Sequence, residues 1–299
     1  MLVPAIVLAG GVRLKPDTTY AMLMPEITPV VFAAQRQAQT VTGMVVEVKP
    51  AEREILVSHD PVPGLMPAMI MPFDVRNAAQ LTGLTPGTLV SFTLRMDSNA
   101  AYADDIRIVR YQSVEQDPLT VRRLRLLRAE RDKARIAIDQ AAPDFTLTSQ
   151  SQQRVSLSGL KGKVVVLNFI YTSCALPQFC YRMTNHFGVL QSRFSGRDGR
   201  DLVLLSVTFD PARDTPEVLA AYAKQWKADT SRWHFLTGAS SEIEKIAAFF
   251  GLDYFPDEGL ITHSLRTVVI DRAGRLVANV EGNQFTARQL EDLVRRTLD

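Results

Sequence analysis

Two eight-residue apolar runs, residues 164–171 (VVVLNFIY) and 202–209 (LVLLSVTF), constrain the fold of this chain most. A strand that is apolar at nearly every position has to be covered on both faces, which is the situation of a sheet with helices packed above and below it. Residues 179–194, between the two runs, can form a helix. Thr215-Pro216-Glu217 starts another, with Pro at the first helical position. Ser241-Glu242-Ile243-Glu244 and Thr286-Ala287-Arg288-Gln289 predict capping boxes for two more. Residues 265–271 and 275–280 read as a hairpin around Ala273-Gly274. From residue 140 to 299, a mixed sheet flanked by helices satisfies all of these signals.

The region before it follows a different rule. Short alternating runs recur at 41–48, 54–58, 69–75, 89–94 and 106–109, most of them separated by Pro-rich or Gly-containing stretches. About five strands between residues 40 and 112 predict a small closed β-barrel of the OB kind. The chain as a whole is therefore expected to be a two-domain α+β or α/β protein.

Residues 113–139 form a third composition. Arg122, Arg123, Arg125, Arg128, Arg131, Lys133 and Arg135 stand there against Glu130 and Asp132, in a stretch with helical character. This basic helical linker reads first as a solvated connector, and second as a helix able to touch an anionic membrane surface or an acidic partner. The leader, residues 1–39, contains apolar stretches at 1–11 and 22–34. The first lacks a preceding Lys or Arg, and Pro25, Glu26 and Pro29 interrupt the second. Neither has the build of a full signal peptide, and no apolar run approaches the ~20 residues needed to cross a bilayer. With 34 basic and 32 acidic residues, the chain carries no charge signature of a nucleic-acid binder.

Two constellations carry chemistry. In the first, His59-Asp60-Pro61 leads into a Pro-rich loop bearing Met66 and then Met69-Ile70-Met71. Residues i and i+2 of a strand share a face, so Met69 and Met71 would present two thioethers together. Imidazole and thioether donors suit Cu(I) or Ag(I) and hold hard cations poorly. Methionines can also simply fill the core of a small barrel. The pattern resembles the CusF-like periplasmic copper/silver-binding family over residues 40–109. That resemblance implies His59, Met69 and Met71 as Cu(I) ligands. Met66 stands where the best-known members place a Trp over the ion, as an extra ligand or as a lid.

The second constellation is Cys174, Cys180 and His263. Six residues along one helix turn through about 240°, so the two sulfurs meet only if the segment between them is a loop, which Pro177 favours. Cys174 is expected on that loop and Cys180 at the first helical turn, where the helix dipole would favour its thiolate. Residues 142–299 resemble the Sco (SenC) family of thioredoxin-fold copper proteins, through Ala142-Pro143-Asp144-Phe145-Thr146-Leu147, Asp210-Pro211-Ala212-Arg213-Asp214-Thr215-Pro216 and Thr262-His263-Ser264. The resemblance implies a thioredoxin-like fold and copper, as Cu(I) or Cu(II), held by Cys174, Cys180 and His263, with Asp210 near the metal loop. It further implies work outside the cytoplasm, in the periplasm, and delivery to a copper-accepting protein such as a cytochrome c oxidase subunit. Membrane anchoring is left open. The family's usual spacing is Cys-x-x-x-Cys-Pro. Here five residues intervene and Tyr181 follows, which leaves coordination geometry and oxidation state open.

A metallochaperone is thus the first reading. The second is an enzyme, a thiol-disulfide oxidoreductase or peroxiredoxin with Cys174 as nucleophile and Cys180 as resolving thiol. Against it, the Cys-x-x-Cys spacing is missing and no Pro immediately precedes Leu265. Leu167 and Tyr171 also occupy the places where a peroxiredoxin needs Pro and Thr or Ser. His186 and His234 read as structural or exposed, and Met183 as packing.

Overall fold

The computed structural model describes residues 39–96, 100–110, 122, 126, 133–174, 176–196, 201–257 and 260–299. The leader lies outside the described residues, and so does most of the basic linker. Among the described residues no helix is long and apolar enough to cross a membrane.

Five strands, β1 (Gln39–Lys49), β2 (Glu54–His59), β3 (Met69–Asp74), β4 (Leu89–Met96) and β5 (Ala101–Ile108), close into a barrel in the order β1-β2-β3-β5-β4. Alternation sends Ile55 and Val57 of β2, Phe73 of β3 and Val90, Phe92 and Leu94 of β4 into the interior. The last strand starts at Ala101, five residues before the sequence pattern suggested. Asp105 adopts a left-handed φ of 53°, and the β4–β5 register shifts between Ser91 and Thr93. A bulge of this kind breaks the apolar period that marks a strand.

The second sheet runs β14-β13-β8-β9-β10-β6-β7. Its centre is β8 (Val164–Ile170), β9 (Leu202–Thr208) and β10 (Trp233–Thr237), mutually parallel. On one side β13 (Arg266–Ile270) and β14 (Leu276–Glu281) pair antiparallel, and on the other β6 (Thr146–Ser149) and β7 (Arg154–Ser156) do the same. Every residue of β8 and β9 is buried, as their composition requires. One face of β8 packs Val164, Val166 and Ile170 against helices α1 (Arg182–Arg193), α2 (Pro216–Gln225) and α4 (Ala287–Leu298). The other face packs Val165, Leu167 and Phe169 against α3 (Ser240–Phe250). This is the thioredoxin-like mixed sheet with helices on both faces.

Two helices start at the caps that the sequence marked. Thr215 caps α2 through the Val218 amide, and Thr286 and Gln289 form the reciprocal capping box of α4. The box expected at Ser241 does not form. Helix α3 begins two residues earlier than that box would place it, with Ala239 at the cap and Ser241 already inside the first turn. A small two-stranded hairpin, β11 (Tyr254–Asp257) with β12 (Leu260–His263), carries no clear sequence signal.

The barrel packs directly on the second sheet. Met44 of β1 is fully buried in the same apolar cluster as Val280 and Leu293, worth about 1.5–3 kcal/mol by burial. Gly87, at φ 87°, lies so close to β14 that a Cβ there would sit 2.8 Å from the Val280 side chain. Arg296 of α4 pairs with Glu47 of β1 at 2.9 Å.

Candidate metal centre

The thiol loop starts where β8 ends. Thr172 donates both its amide and its hydroxyl hydrogen to the buried carboxylate of Asp214, which also accepts the hydroxyl of Thr208 at the end of β9. The chain then turns, with the Cys174 amide on the Tyr171 carbonyl at 3.3 Å, and winds through a wide turn, Pro177–Tyr181, before α1 begins at Arg182. Cys174 thus lies on the loop and Cys180 in the turn that leads into the helix, as the spacing requires. The Sγ atoms of Cys174 and Cys180 and a ring nitrogen of His263 all lie within 4.8 Å of one another. No disulfide joins the two cysteines here, Cys180 being buried and Cys174 half-buried.

The charge sits on the other sulfur from the one expected. Cys174 is pushed down to about 3, chiefly by the hydrogen bond from Cys180, against a burial that opposes it. Cys180 is pushed well up, because it donates to Cys174 and is desolvated. The hydrogen bond to Cys174 and burial together outweigh the helix dipole at Cys180, since a second thiolate beside the first and out of water costs more than a partial charge at one helix end returns. The pair holds one proton, on Cys180. Tyr171 is raised as well, by burial and by the neighbouring Cys174 charge, so its phenol stays protonated.

His263 ends β12 opposite Tyr254. Its Nδ1 lies 2.8 Å from the Ser264 carbonyl, which can only accept, so Nδ1 carries the hydrogen and Nε2 keeps its lone pair. A backbone carbonyl fixing the tautomer in this way is common around metal-binding imidazoles. Phe209, Tyr171 and Phe179 pack around the ring at 4.8, 5.7 and 6.0 Å between centroids. Beside Cys174 opens a cavity of about 320 Å³ whose walls include Tyr171, Tyr181, Tyr222 and Trp226.

Asp210 is buried at the end of β9, with its amide on the Thr208 hydroxyl and its carboxylate 3.3 Å from Arg213. Asp214, four residues later in the same motif, is the carboxylate that grips the cysteine loop. Sequence reasoning passed over it although it stood within the quoted signature, and it passed over Phe209 and Tyr222 too. Met183 is core packing. His186 lies buried against Phe285 and burial lowers it to about 4, while burial also lowers His234.

In the barrel, β2 and β3 pair so that His59 faces Met69, and Met71 follows on the same side. Met69 is 43% exposed and is therefore not core filling, whereas Met66 and Met71 are half-buried against the barrel core. Met66 is held back onto Val62 by a pair of backbone hydrogen bonds. His59 is fully buried, its Nδ1 donating to the Asp60 carbonyl at 2.7 Å. Its Nε2, also buried, has no hydrogen-bond partner among the described residues. Leaving such an acceptor unsatisfied costs about 1–3 kcal/mol, and a soft cation on that lone pair removes the cost.

Known proteins resemble the chain in both parts. The SCO1/SenC family model matches residues 134–299, and the model for copper binding periplasmic protein CusF matches residues 38–107. The SCO1 protein homolog of Bacillus subtilis (strain 168) is 32% identical over 146 residues, covering 48% of this chain and 74% of that protein. A putative copper-binding protein of Stutzerimonas stutzeri is 28% identical over 147 residues, covering 48% and 70%. The crystal structure of a SCO1/SenC family lipoprotein from Bacillus anthracis, 27% identical, covers 54% of this chain and 96% of its own, with a TM-score of 0.49.

Proposed function

The chain belongs to the SCO1/SenC family, and from that premise we propose that it is a copper carrier working outside the cytoplasm, in the periplasm. Copper is its cargo. Cys174, Cys180 and His263 Nε2 are the ligands of one site. A three-donor set of two sulfurs and an imidazole suits Cu(I) and also accepts Cu(II). Loading displaces the proton that Cys180 retains, so affinity rises with pH. His59 Nε2, Met69 and Met71 form a second site in the barrel, selective for Cu(I) because thioethers are neutral and soft, with Met66 beside it. The recipient is a copper-accepting protein, by family a cytochrome c oxidase subunit, and the aromatic cavity beside Cys174 offers it a way to the metal.

The observation that carries this reading is the approach of three donors from distant parts of the chain to within 4.8 Å, with one thiolate and one free imidazole lone pair among them. Titration of the full chain with Cu(I) against a competing chelator tests it. Two equivalents are expected, one lost in Cys174→Ser or His263→Ala and the other in His59→Ala plus Met69→Ala. Unchanged binding in Cys174→Ser would overturn the thiol site.

A second reading, thiol-disulfide exchange, draws on the contrast between a half-buried thiolate at Cys174 and a buried thiol at Cys180. In it Cys174 attacks a substrate disulfide and releases one substrate thiol. Cys180 then resolves the mixed disulfide, releasing the second and leaving a Cys174–Cys180 bond. Rapid insulin reduction by metal-free protein would favour it over copper carriage.

A further inference from the structure

Helix α4 of the thioredoxin-like domain reaches into the backbone that carries His59. Arg288, in its first turn, donates from Nη2 to the His59 carbonyl at 2.6 Å and from Nη1 to the Ser58 hydroxyl at 3.1 Å. Asp292, one turn on, holds that same guanidinium at 3.0 Å and accepts the Ser58 hydroxyl at 2.6 Å. Gln289 is buried. Its Oε1 accepts the Thr286 amide to cap the helix, and its Nε2 donates to the Ser58 carbonyl and to Asp60 Oδ1, both at 3.2 Å. Asp60 is held from the barrel side as well, by the Thr42 hydroxyl at 2.8 Å.

The three residues so clamped, Ser58, His59 and Asp60, decide where the imidazole points. Among the described residues the ring's one hydrogen bond goes to the Asp60 carbonyl, so any rotation of that peptide swings the ring or releases its tautomer. On the opposite side Gly43 of β1 pairs with His59, and a Cβ there would lie 2.8 Å from the His59 Cα. The backbone is thus gripped on both sides, and the grip on one side comes from 229 residues further along the chain.

We infer that Arg288 and Gln289 are positioning residues of the barrel's soft-metal site, holding the 58–60 backbone so that His59 Nε2 stays beside Met69 and Met71. This rests on the reading of the barrel as a soft-metal site. The capture site is therefore completed by the second domain, and the barrel segment by itself holds the ion less tightly.

The test uses the full chain with Cys174→Ser and Cys180→Ser, so that added Ag(I), a redox-inert probe, reports the barrel. In that background Arg288→Met is expected to weaken Ag(I) binding at least about 10-fold, the usual scale for loss of an outer-shell partner. Gln289→Glu is expected to do the same while keeping the helix cap, since a carboxylate still accepts the Thr286 amide. Arg288→Lys should restore part of the loss. The ¹⁵N signals of the His59 ring in metal-free protein should show the Nδ1–H form in the parent and a mixture of tautomers in both variants. Arg296→Ala breaks the Glu47 ion pair of the same interface without touching residues 58–60, and should leave affinity unchanged. Equal affinity in parent, Arg288→Met and Gln289→Glu, with binding still abolished by His59→Ala plus Met69→Ala, would overturn the inference and leave the barrel site standing. A loss in Arg296→Ala matching that in Arg288→Met would also overturn it. Binding that survives His59→Ala plus Met69→Ala would instead remove the barrel reading itself.

Discussion

Asp214 holds Thr172, two residues before Cys174, by both its amide and its hydroxyl. The same carboxylate takes the Thr208 hydroxyl, so the ends of β8 and β9 and the start of the thiol loop share one buried acceptor. The position of Cys174 is inherited from this knot.

Asp214→Ala should therefore cost about 2–4 kcal/mol, because charge-assisted hydrogen bonds are lost and buried donors are left unpaired. Urea unfolding of copper-free protein measures it. Copper affinity at the thiol site should fall in the same variant, whereas Asp210→Ala should change it less, since the Asp210 side chain bonds outward to Arg213. Equal effects at the two positions would contradict the assignment.

Cys174 should alkylate readily with iodoacetamide at pH 5. An ordinary thiol has well under ~1% thiolate there, while this one is held down to about 3 by the hydrogen bond from Cys180. Replacing the donor, in Cys180→Ala, should move the onset of labelling upward by several pH units. Labelling of the parent that begins only near pH 8 would show that the pair does not share its proton as described.

Burial lowers His186 to about 4, from an ordinary value near 6.5. Between those pH values the unfolded chain binds the proton and the folded chain does not. The stability owed to the neutral ring is complete above 6.5 and is lost as pH falls through 4. The unfolding free energy of the parent should thus decline from pH 6.5 to 4 more steeply than that of His186→Leu. Parallel curves for the two proteins would show that the ring ionises freely in the folded state.

Gly43→Ala places a Cβ 2.7 Å from the Ser58 carbonyl oxygen and 2.8 Å from the His59 Cα, with backbone on both contacts. Neither neighbour can give way, since α4 holds both from behind. A loss of about 1–3 kcal/mol is expected, the usual cost of overpacking, together with weaker Ag(I) binding at the barrel. Thermal unfolding and competitive titration of the same sample separate the two effects. Unaltered stability would mean that β1 and β2 can part without cost.

Local pattern carried a large part of this molecule. The nearly all-apolar 164–171 and 202–209 runs demanded a covered sheet, and β8 and β9 are buried at every position. Thr286-x-x-Gln289 marked the start of α4 correctly, whereas Ser241-x-x-Glu244 misplaced that of α3 by two residues, since no side chain caps α3 and the Ser241 box does not form. The five-residue gap between Cys174 and Cys180 required a loop, and the resemblance to the Sco family named His263 as their partner, which lies within 4.8 Å of both sulfurs.

What the sequence by itself determined was therefore everything that a short window encodes: which stretches must be covered, where helices can begin, and which soft donors the chain possesses. Tertiary structure alone decided which sulfur bears the charge, that Asp214 rather than Asp210 grips the thiol loop, and that α4 clamps the backbone of His59. The reason is physical. Periodicity and capping act over a few residues, but a pKa or a buried hydrogen bond depends on how much water is removed and on which distant group replaces it.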